Sequence, residues 1–510
     1  MFSLRRFNIF SINFHKNLSI MPFFKFLFKL IKPLLSNQII FYLFSRYFTY
    51  FIQFIISIVL AVKLGAYYLG IWSFIVLIIN YFGQIDFGIA NSLNVFLIQN
   101  RDDSRISSIY IFNALLVLTF LSFLIVIIAL YNFYFGFKLI EKFNVSSYFT
   151  FICLIGILQY FNTLFMTIFR VYNKLVEVII HQSVVVILSL LIIFFFDKED
   201  LILALVFAYL LGGIVSVIVY LASFPLRIKS AKISLNITMD ILKKGMYLFV
   251  FNGCFYFIIT STRSLVSKYY TIEEFGVFSF AYTLSNSIML LLSAFSFIMF
   301  PKLIQKLSSN CKDEALRSIN MIMTNYVIFA HFMVYSFMIF FPFVSSYFSE
   351  YSGILGVLNF ISLAVLLNTH SFGHVSFLIA QNREKTAALI SLVALVINIL
   401  IGVILIKLML VPVKYVIVAS GFSYIIFSFL STYFSNLLLK GKTNFYAVFT
   451  DSFPLRIFLP FTAGVVVSYF DLGFWIIAVF IMFVYLNMRS LKEITHTFKL
   501  LWHNPQIINL

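Results

Sequence analysis

Six side chains stand out in this 510-residue sequence because their chemistry conflicts with the apolar runs that hold them: Arg46, Asp86, Arg263, His331, His370 and His374. An arginine at the centre of a membrane span costs about 2.5–3.5 kcal/mol on insertion scales, so it persists where a cavity or partner receives it. Arg46 and Arg263 are suited to gripping phosphate oxygens. Both lie close enough to an end of their runs that snorkelling to the membrane surface is the alternative. Asp86 could serve as a proton or cation site, or as the partner of an arginine on a neighbouring helix. The three histidines could relay protons, or rest as neutral hydrogen-bonded rings. His370 and His374 have the i, i+4 spacing of metal ligands, but no third ligand accompanies them, so no metal is expected. The 3 cysteines, Cys153, Cys254 and Cys311, show no metal-ligand or disulfide pattern.

Elements of membrane-spanning length must position these groups. The chain is 62% hydrophobic and 11% charged, where a soluble domain is about a quarter charged. Its mean hydropathy is +1.03. Apolar runs long enough to cross about 30 Å of hydrocarbon fall at roughly 38–62, 71–98, 109–132, 148–169, 176–196, 201–224, 245–267, 276–300, 318–342, 353–379, 386–406, 413–438, 454–470 and 472–488. With the N-terminus placed in the cytoplasm, the cytoplasmic segments carry 27 Lys and Arg against 7 on the opposite side. This positive-inside bias puts both termini in the cytoplasm. It also assigns the net charge of +18 to topology and anionic headgroups rather than to nucleic acid. The expectation is an all-α polytopic protein of about fourteen transmembrane helices.

No cleavable signal peptide is evident, because the first apolar run continues into an ordinary spanning helix. Before it, Lys25, Lys29 and Lys32 share one face of an interfacial amphipathic helix within a basic segment at 1–37. Met21 is an alternative start to Met1. The longest loop expected outside, at about 133–147, is too short to fold as a domain.

The two halves resemble each other. Gly70, Ser73 and Phe74 of "LGIWSF" recur 206 positions later as Gly276, Ser279 and Phe280 of "FGVFSF". Asn173 of "VYNK" and Asn382 of "AQNR" are 209 apart. Two six-helix bundles in parallel orientation would follow, at 38–224 and 245–438, joined by a connector at 225–244. A helix pair at 439–488 and a cytoplasmic tail at 489–510 complete the division.

Polar stripes mark the spans that face a cavity or a partner helix. The first span carries Arg46, Thr49, Gln53 and Ser57, and the second carries Asn80, Gln84, Asn91 and Asn94. The seventh carries Asn252, Tyr256, Thr260, Arg263 and Ser267, and the eighth Ser279, Thr283, Asn286 and Ser293. The tenth carries Asn359, His370, His374 and Gln381. The first, second, seventh and eighth are equivalent pairs under the repeat, which suggests two pseudo-symmetric bundles around a central polar cavity. Substrate-contacting candidates are Arg46, Gln53, Asn252, Arg263 and Asn286, and ion-coupling candidates are Asp86, His370 and His374.

The "DKED" at 197–200 reads as a solvated charge cluster in a tight outside turn. No paired acidic catalytic motif on an extramembrane loop, nucleophile elbow or Walker loop is present. That argues against an ATP-driven pump and against a membrane-embedded polymerase, which remains the alternative from another class.

The segments "KLGAYYLGIWSF", "QIDFGIANSL", "LKKGMYLFVF", "EEFGVFSFAYTL" and "LIAQNREKTAALISLVALVINILIGVIL" resemble the O-antigen and polysaccharide flippases of the multidrug/oligosaccharidyl-lipid/polysaccharide exporter superfamily. The resemblance covers nearly the whole chain. It implies two six-helix bundles plus two further helices, in a bacterial inner membrane. It also implies a cavity open alternately to each side and an undecaprenyl-diphosphate-linked oligosaccharide as cargo. No cofactor is implied; a proton or sodium gradient would drive transport. Partners would be the lipid-linked substrate, membrane lipids, and a polysaccharide polymerase with its chain-length regulator. Relatives often carry an acid before the arginine of the seventh span, where this chain has Thr262-Arg263. A multidrug or lipid-linked peptidoglycan-precursor exporter of the same superfamily is the alternative reading.

Overall fold

A computed structural model describes residues 38–100, 103–226, 232–307, 312–345, 351 and 353–503. The basic segment at 1–37, the two candidate starts and Cys311 lie outside the described residues.

Every described regular element is helical. In chain order they are α1 (Gln38–Gln84), α2 (Ile89–Gln99), α3 (Ser104–Phe135), the short α4 (Lys138–Lys142), α5 (Ser146–Val171), α6 (Leu175–Ile192) and α7 (Lys198–Ala222). The second half holds α8 (Leu235–Tyr269), α9 (Ile272–Leu307), α10 (Lys312–Ile322), α11 (Ile328–Ser345), α12 (Ile354–Leu367), α13 (Phe372–Ala380), α14 (Glu384–Lys407), α15 (Val413–Val416) and α16 (Val418–Lys440). The chain closes with α17 (Phe445–Ser452), α18 (Leu455–Tyr469) and α19 (Ile476–His503).

Among the described residues, twelve helices are long and apolar enough to cross a membrane. The first runs 41 residues, Phe44–Gln84, about 60 Å of helix and twice one crossing. It divides at Gly65, whose φ of 64° and ψ of 174° are not helical. Near the other end, α17 and α18 form one apolar pair bent by 73°. Counting the first helix as two spans and the bent pair as one gives fourteen. The protein is a multi-pass membrane protein.

Element ends follow local chemistry. Asp103 caps α3 by accepting from the backbone N–H of Arg105 and Ile106 at 2.9 and 3.0 Å. Asn444 caps α17 through Ala447 N–H at 2.8 Å. Asn173 and Asn382 both take the left-handed conformation after their helices, at φ 57° and 55°. The next N–H of each reaches back five residues, Lys174 to Phe169 O and Arg383 to Leu378 O, both at 2.8 Å. The two matched tetrapeptides are therefore the same left-handed helix stop.

The tenth span, expected as a continuous run at 353–379, is interrupted by a 3₁₀ turn at Asn368–Ser371, and the second span departs further. The second was expected as a continuous helix at 71–98. The structure starts it just after Gly65 and breaks it at 85–88, where Gly88 has φ +71°. A hydropathy window averages over such a break, because Ile85 and Phe87 are as apolar as a helix interior.

The halves meet at close crossings. A Cβ on Gly276 would lie 2.1 Å from Ala66 O, and one on Gly70 would lie 2.2 Å from Ile272 O. At the opposite end of the second span, a Cβ on Gly88 would lie 2.3 Å from Gly245 O. Only glycine permits backbones to approach this closely.

Candidate functional site

A cavity of about 130 Å³ lies between the halves. Gln53 and Ser57 of α1 line it, with Trp72 and Ser73 from the same helix beyond its kink. Arg263 of α8 and Thr283 of α9 enter from the second half. α6 and α7 complete the wall through Ser189 and Tyr209.

Arg263 supplies the charge. It is only 4% exposed. Its guanidinium carbon sits 4.6 Å above the Tyr282 ring, a cation–π contact that holds the plane of the group in place. Its buried Nε has no hydrogen-bond partner among the described residues. A buried donor left without an acceptor is costly. Ser264, the residue after Arg263, shares a hydrogen bond of 2.7 Å with Tyr81 OH, and Tyr81 stacks on Phe257.

Thr262, next in sequence, faces the other way. Its hydroxyl meets Ser420 Oγ at 2.8 Å. Asn398 Nδ2 donates to Ile258 O at 2.7 Å and to Ser261 Oγ at 2.8 Å beside it. This cluster joins α8 to α14 and α16, and an acid placed there would point into the second bundle rather than into the cavity.

The other candidates are spread more widely. Gln53 is exposed and lines the cavity with Arg263. Arg46 lies outside the lining: its Nη2 donates to Tyr50 OH, and its guanidinium carbon is 4.4 Å from that ring. One residue before Tyr50, Thr49 Oγ1 meets Ser183 Oγ of α6 at 3.0 Å. This part of the stripe on α1 thus packs inside its own bundle. Asn252 is exposed on α8 and Asn286 half-buried on α9, neither in the cavity wall.

Asp86 occupies the break between α1 and α2. Its Oδ1 accepts from Gly88 N–H at 2.9 Å and its Oδ2 from Ala90 N–H at 3.2 Å. The carboxylate thus caps the start of α2, where unpaired N–H groups and the helix dipole favour a negative charge. His370 and His374 lie away from the cavity. His370 Nε2 is 3.0 Å from His331 Nε2, and His374 Nδ1 is 3.1 Å from Ser435 Oγ. Among the described residues no three His, Cys, Asp or Glu side chains gather as a metal site.

The end carrying Gly65 and α4, expected outside from the charge count, is bridged across the halves. Lys142 on α4 donates to Ser267 O at 2.6 Å and Tyr270 O at 2.7 Å, capping the carbonyl end of α8. Partial burial pushes its ammonium below the ordinary lysine range, and Glu274 opposes the shift. Tyr351 OH donates to Ala61 O at 2.9 Å, and Phe143 meets Phe275 edge to face. Sequence reasoning missed Tyr282, Lys142 and Tyr351. Tyr282 is masked by its polar neighbour Thr283 on the eighth-span stripe, and the other two act on backbone carbonyls, which leave no sequence signal.

Among solved structures, the lipid II flippase MurJ in an inward closed conformation is 14% identical, with a TM-score of 0.66 over 90% of this chain and 99% of that one. An inward-facing multidrug resistance MATE family transporter of the MOP superfamily is 13% identical, with a TM-score of 0.61 over 78% of this chain and 96% of that one. The eukaryotic MATE transporter AtDTX14 is 14% identical, with a TM-score of 0.54 over 81% and 96%. These likenesses establish the fold. No curated protein sequence matches the chain. The family model "Polysaccharide biosynthesis protein" matches residues 35–307. That stretch is more than half of the sequence and includes both cavity-lining halves of α1, Arg263 and Thr283, so the chain belongs to the polysaccharide biosynthesis protein family.

Proposed function

We propose that this chain is a flippase for undecaprenyl-diphosphate-linked oligosaccharide units, of O-antigen or a related surface polysaccharide. It moves them from the cytoplasmic to the periplasmic leaflet of a bacterial inner membrane, with both termini in the cytoplasm. Transport proceeds by alternating access and draws on a proton or sodium gradient. A polymerase and its chain-length regulator take the product onward.

The observation that carries this reading is Arg263: a buried guanidinium at the wall of an inter-bundle cavity, held by Tyr282 and left with an open N–H. A diphosphate is the part of such a cargo that hydrocarbon rejects most strongly, and arginine binds phosphate oxygens through fixed paired donors. Hydroxyls and amides at Gln53, Ser57, Ser73 and Thr283 suit sugars. At about 130 Å³ the cavity is smaller than the about 300–1,000 Å³ of ordinary ligand pockets. Loading therefore requires the bundles to part. A multidrug exporter for cationic drugs fits less well, because the buried charge at the cavity is positive and the Asp86 carboxylate is occupied by the start of α2.

Deleting the gene tests the proposal. Lipid-linked repeat units should accumulate on the cytoplasmic side and long-chain surface polysaccharide should disappear. A normal polysaccharide ladder, in a strain without a redundant transporter, excludes the reading. Sensitivity to cationic drugs with an intact ladder points instead to the multidrug alternative.

A further inference from the structure

The second bundle contains a buried chain of protonatable groups away from the cavity. His331 lies on α11, directly after a π-helical turn at Met323–Val327. His370 lies in a 3₁₀ turn, Asn368–Ser371, that interrupts the tenth span between α12 and α13. Irregular turns of these kinds inside helices frequently mark functional positions. Both rings are almost wholly buried, at 0% and 2% exposure. Phe483 of α19 stacks on His331, and Phe453, at the end of α17, lies against His370. The C-terminal helices thus form one wall of the pair.

Hydrogen-bond geometry fixes where the protons are. His370 Nδ1 is 3.0 Å from Ser452 O, a carbonyl that can only accept, so Nδ1 carries a hydrogen. In neutral His370, Nε2 is then an acceptor. Its partner at 3.0 Å is His331 Nε2, which must donate. That leaves His331 Nδ1 as the acceptor for Tyr335 OH at 3.3 Å. The chain runs in one direction, from Tyr335 through His331 and His370 to the Ser452 carbonyl.

This arrangement has room for one more proton. A proton arriving at His331 Nδ1 needs only the Tyr335 hydroxyl to turn from donor to acceptor, while the Nε2–Nε2 bond keeps its single hydrogen. A second would set two N–H groups against each other at 3.0 Å.

The surrounding titratable and charged groups are accounted for by element. α11 offers Tyr335, and α13 offers His374, whose Nδ1 meets Ser435 Oγ on α16. Asp451 on α17 is taken by Lys440 at 2.7 Å and Asn436 at 2.9 Å, both on α16. Arg456 on α18 donates to Ser490 of α19 at 3.2 Å. Arg489 and Glu493 on α19 pair with each other at the surface. In this conformation, then, Asp451 is already neutralised by other partners.

We propose that His331 and His370 form a site that binds one proton between the second bundle and the C-terminal helices, and that its occupancy changes with the packing of those helices. The proposal deepens the ion-coupling part of the proposed function and rests on that reading only for how the proton is used. A site that takes its proton in one conformation and releases it in another ties the proton gradient to that movement. The ratio of conformations then changes about tenfold for each unit by which the two proton affinities differ.

Nitrogen NMR on the full chain, labelled with ¹⁵N-histidine and held in lipid nanodiscs, tests this without any substrate. At pH 8 the pair should show one Nδ1–H ring and one Nε2–H ring. Acidification to pH 3.5 should add one N–H, in a single transition. His331→Gln should abolish this transition, and His370→Gln, whose amide oxygen can still accept from His331 Nε2–H, should shift it. Tyr335→Phe, which keeps both rings and most of the packing, should lower the proton affinity about tenfold, the weight of one hydrogen bond to a charged group. Two rings titrating independently would overturn the proposal, as would a pair that stays neutral down to pH 3.5. Failure to flip a lipid-linked oligosaccharide would count against the proposed cargo and leave these spectra unchanged.

Discussion

Gly70 and Gly276 lie against each other where the two halves cross, each packing on the turn that precedes the other. A Cβ at Gly276 would strike Ala66 O at 2.1 Å, and one at Gly70 would strike Ile272 O at 2.2 Å. Ala66 and Ile272 are separated by the same 206 positions as the glycines. The contact is reciprocal, as at an axis of two-fold symmetry. Gly70→Ala and Gly276→Ala should each push this crossing apart, lowering stability by about 1–3 kcal/mol as over-packing does. They should also shift the protein away from the conformation described. Engineered cysteine pairs across the crossing should cross-link less in either variant, and unchanged cross-linking and melting would show that the crossing tolerates a side chain.

Lys142 closes the same end by a different route. Lys142→Met keeps most of the side chain's length but removes the donor to Ser267 O and Tyr270 O. Because Lys142 is largely exposed, the loss should be about 1 kcal/mol, enough to change the open-to-closed ratio about fivefold. Spin-label distances between α4 and the end of α8 would measure it. Lys142→Arg should restore most of the effect.

Arg263→Ala should reduce flipping at least tenfold, and Arg263→Lys should retain part of the activity, because the charge survives while the paired donors do not. Tyr282→Phe should be close to wild type, since the ring face carries the cation–π contact, whereas Tyr282→Leu should fall toward the Arg263→Ala level. Transport into proteoliposomes with a fluorescent lipid diphosphate would rank them. Equal, full activity in both Arg263 variants would place this residue outside the mechanism.

Asp86 offers a clean separation between a cap and an ion site. As a cap, Asp86→Asn should be nearly silent and Asp86→Ala should cost about 1 kcal/mol, because asparagine caps helices as well as aspartate does. As an ion site, Asp86→Asn should abolish coupling while leaving stability intact. The hydrogen bonds to Gly88 and Ala90 favour the first outcome. Melting temperature and gradient-driven transport, measured on the same two variants, distinguish them.

The membrane fold was readable from the sequence because it rests on long-range averages: apolar runs of spanning length and a one-sided distribution of Lys and Arg. The site was readable only where a side chain faces a cavity from a regular helix. Arg263, Gln53 and Thr283 are of that kind, since helical spacing puts each on a stripe. Arg46 shares its stripe with Gln53, yet it stacks on Tyr50 while Thr49 bonds to α6, because polar spacing cannot tell a cavity from a neighbouring helix. The break around Asp86 leaves little trace in hydropathy, because Ile85 and Phe87 offset Gln84 and Asp86 and apolar residues continue on both sides. The His331–His370 contact joins positions 39 apart on different helices, a separation without periodic trace.

The break at 85–88 also has a mechanical consequence. The second span is fastened to the opposite half twice, by Gly70 against Ile272 at one end and by Gly88 against Gly245 at the other. Phe87 packs on Phe249 beside the second fastening. An unbroken rod held at two points would lock the halves together. The break sits at the second fastening itself, so a joint there would let the Gly88 contact turn or release while Gly70 still holds Ile272.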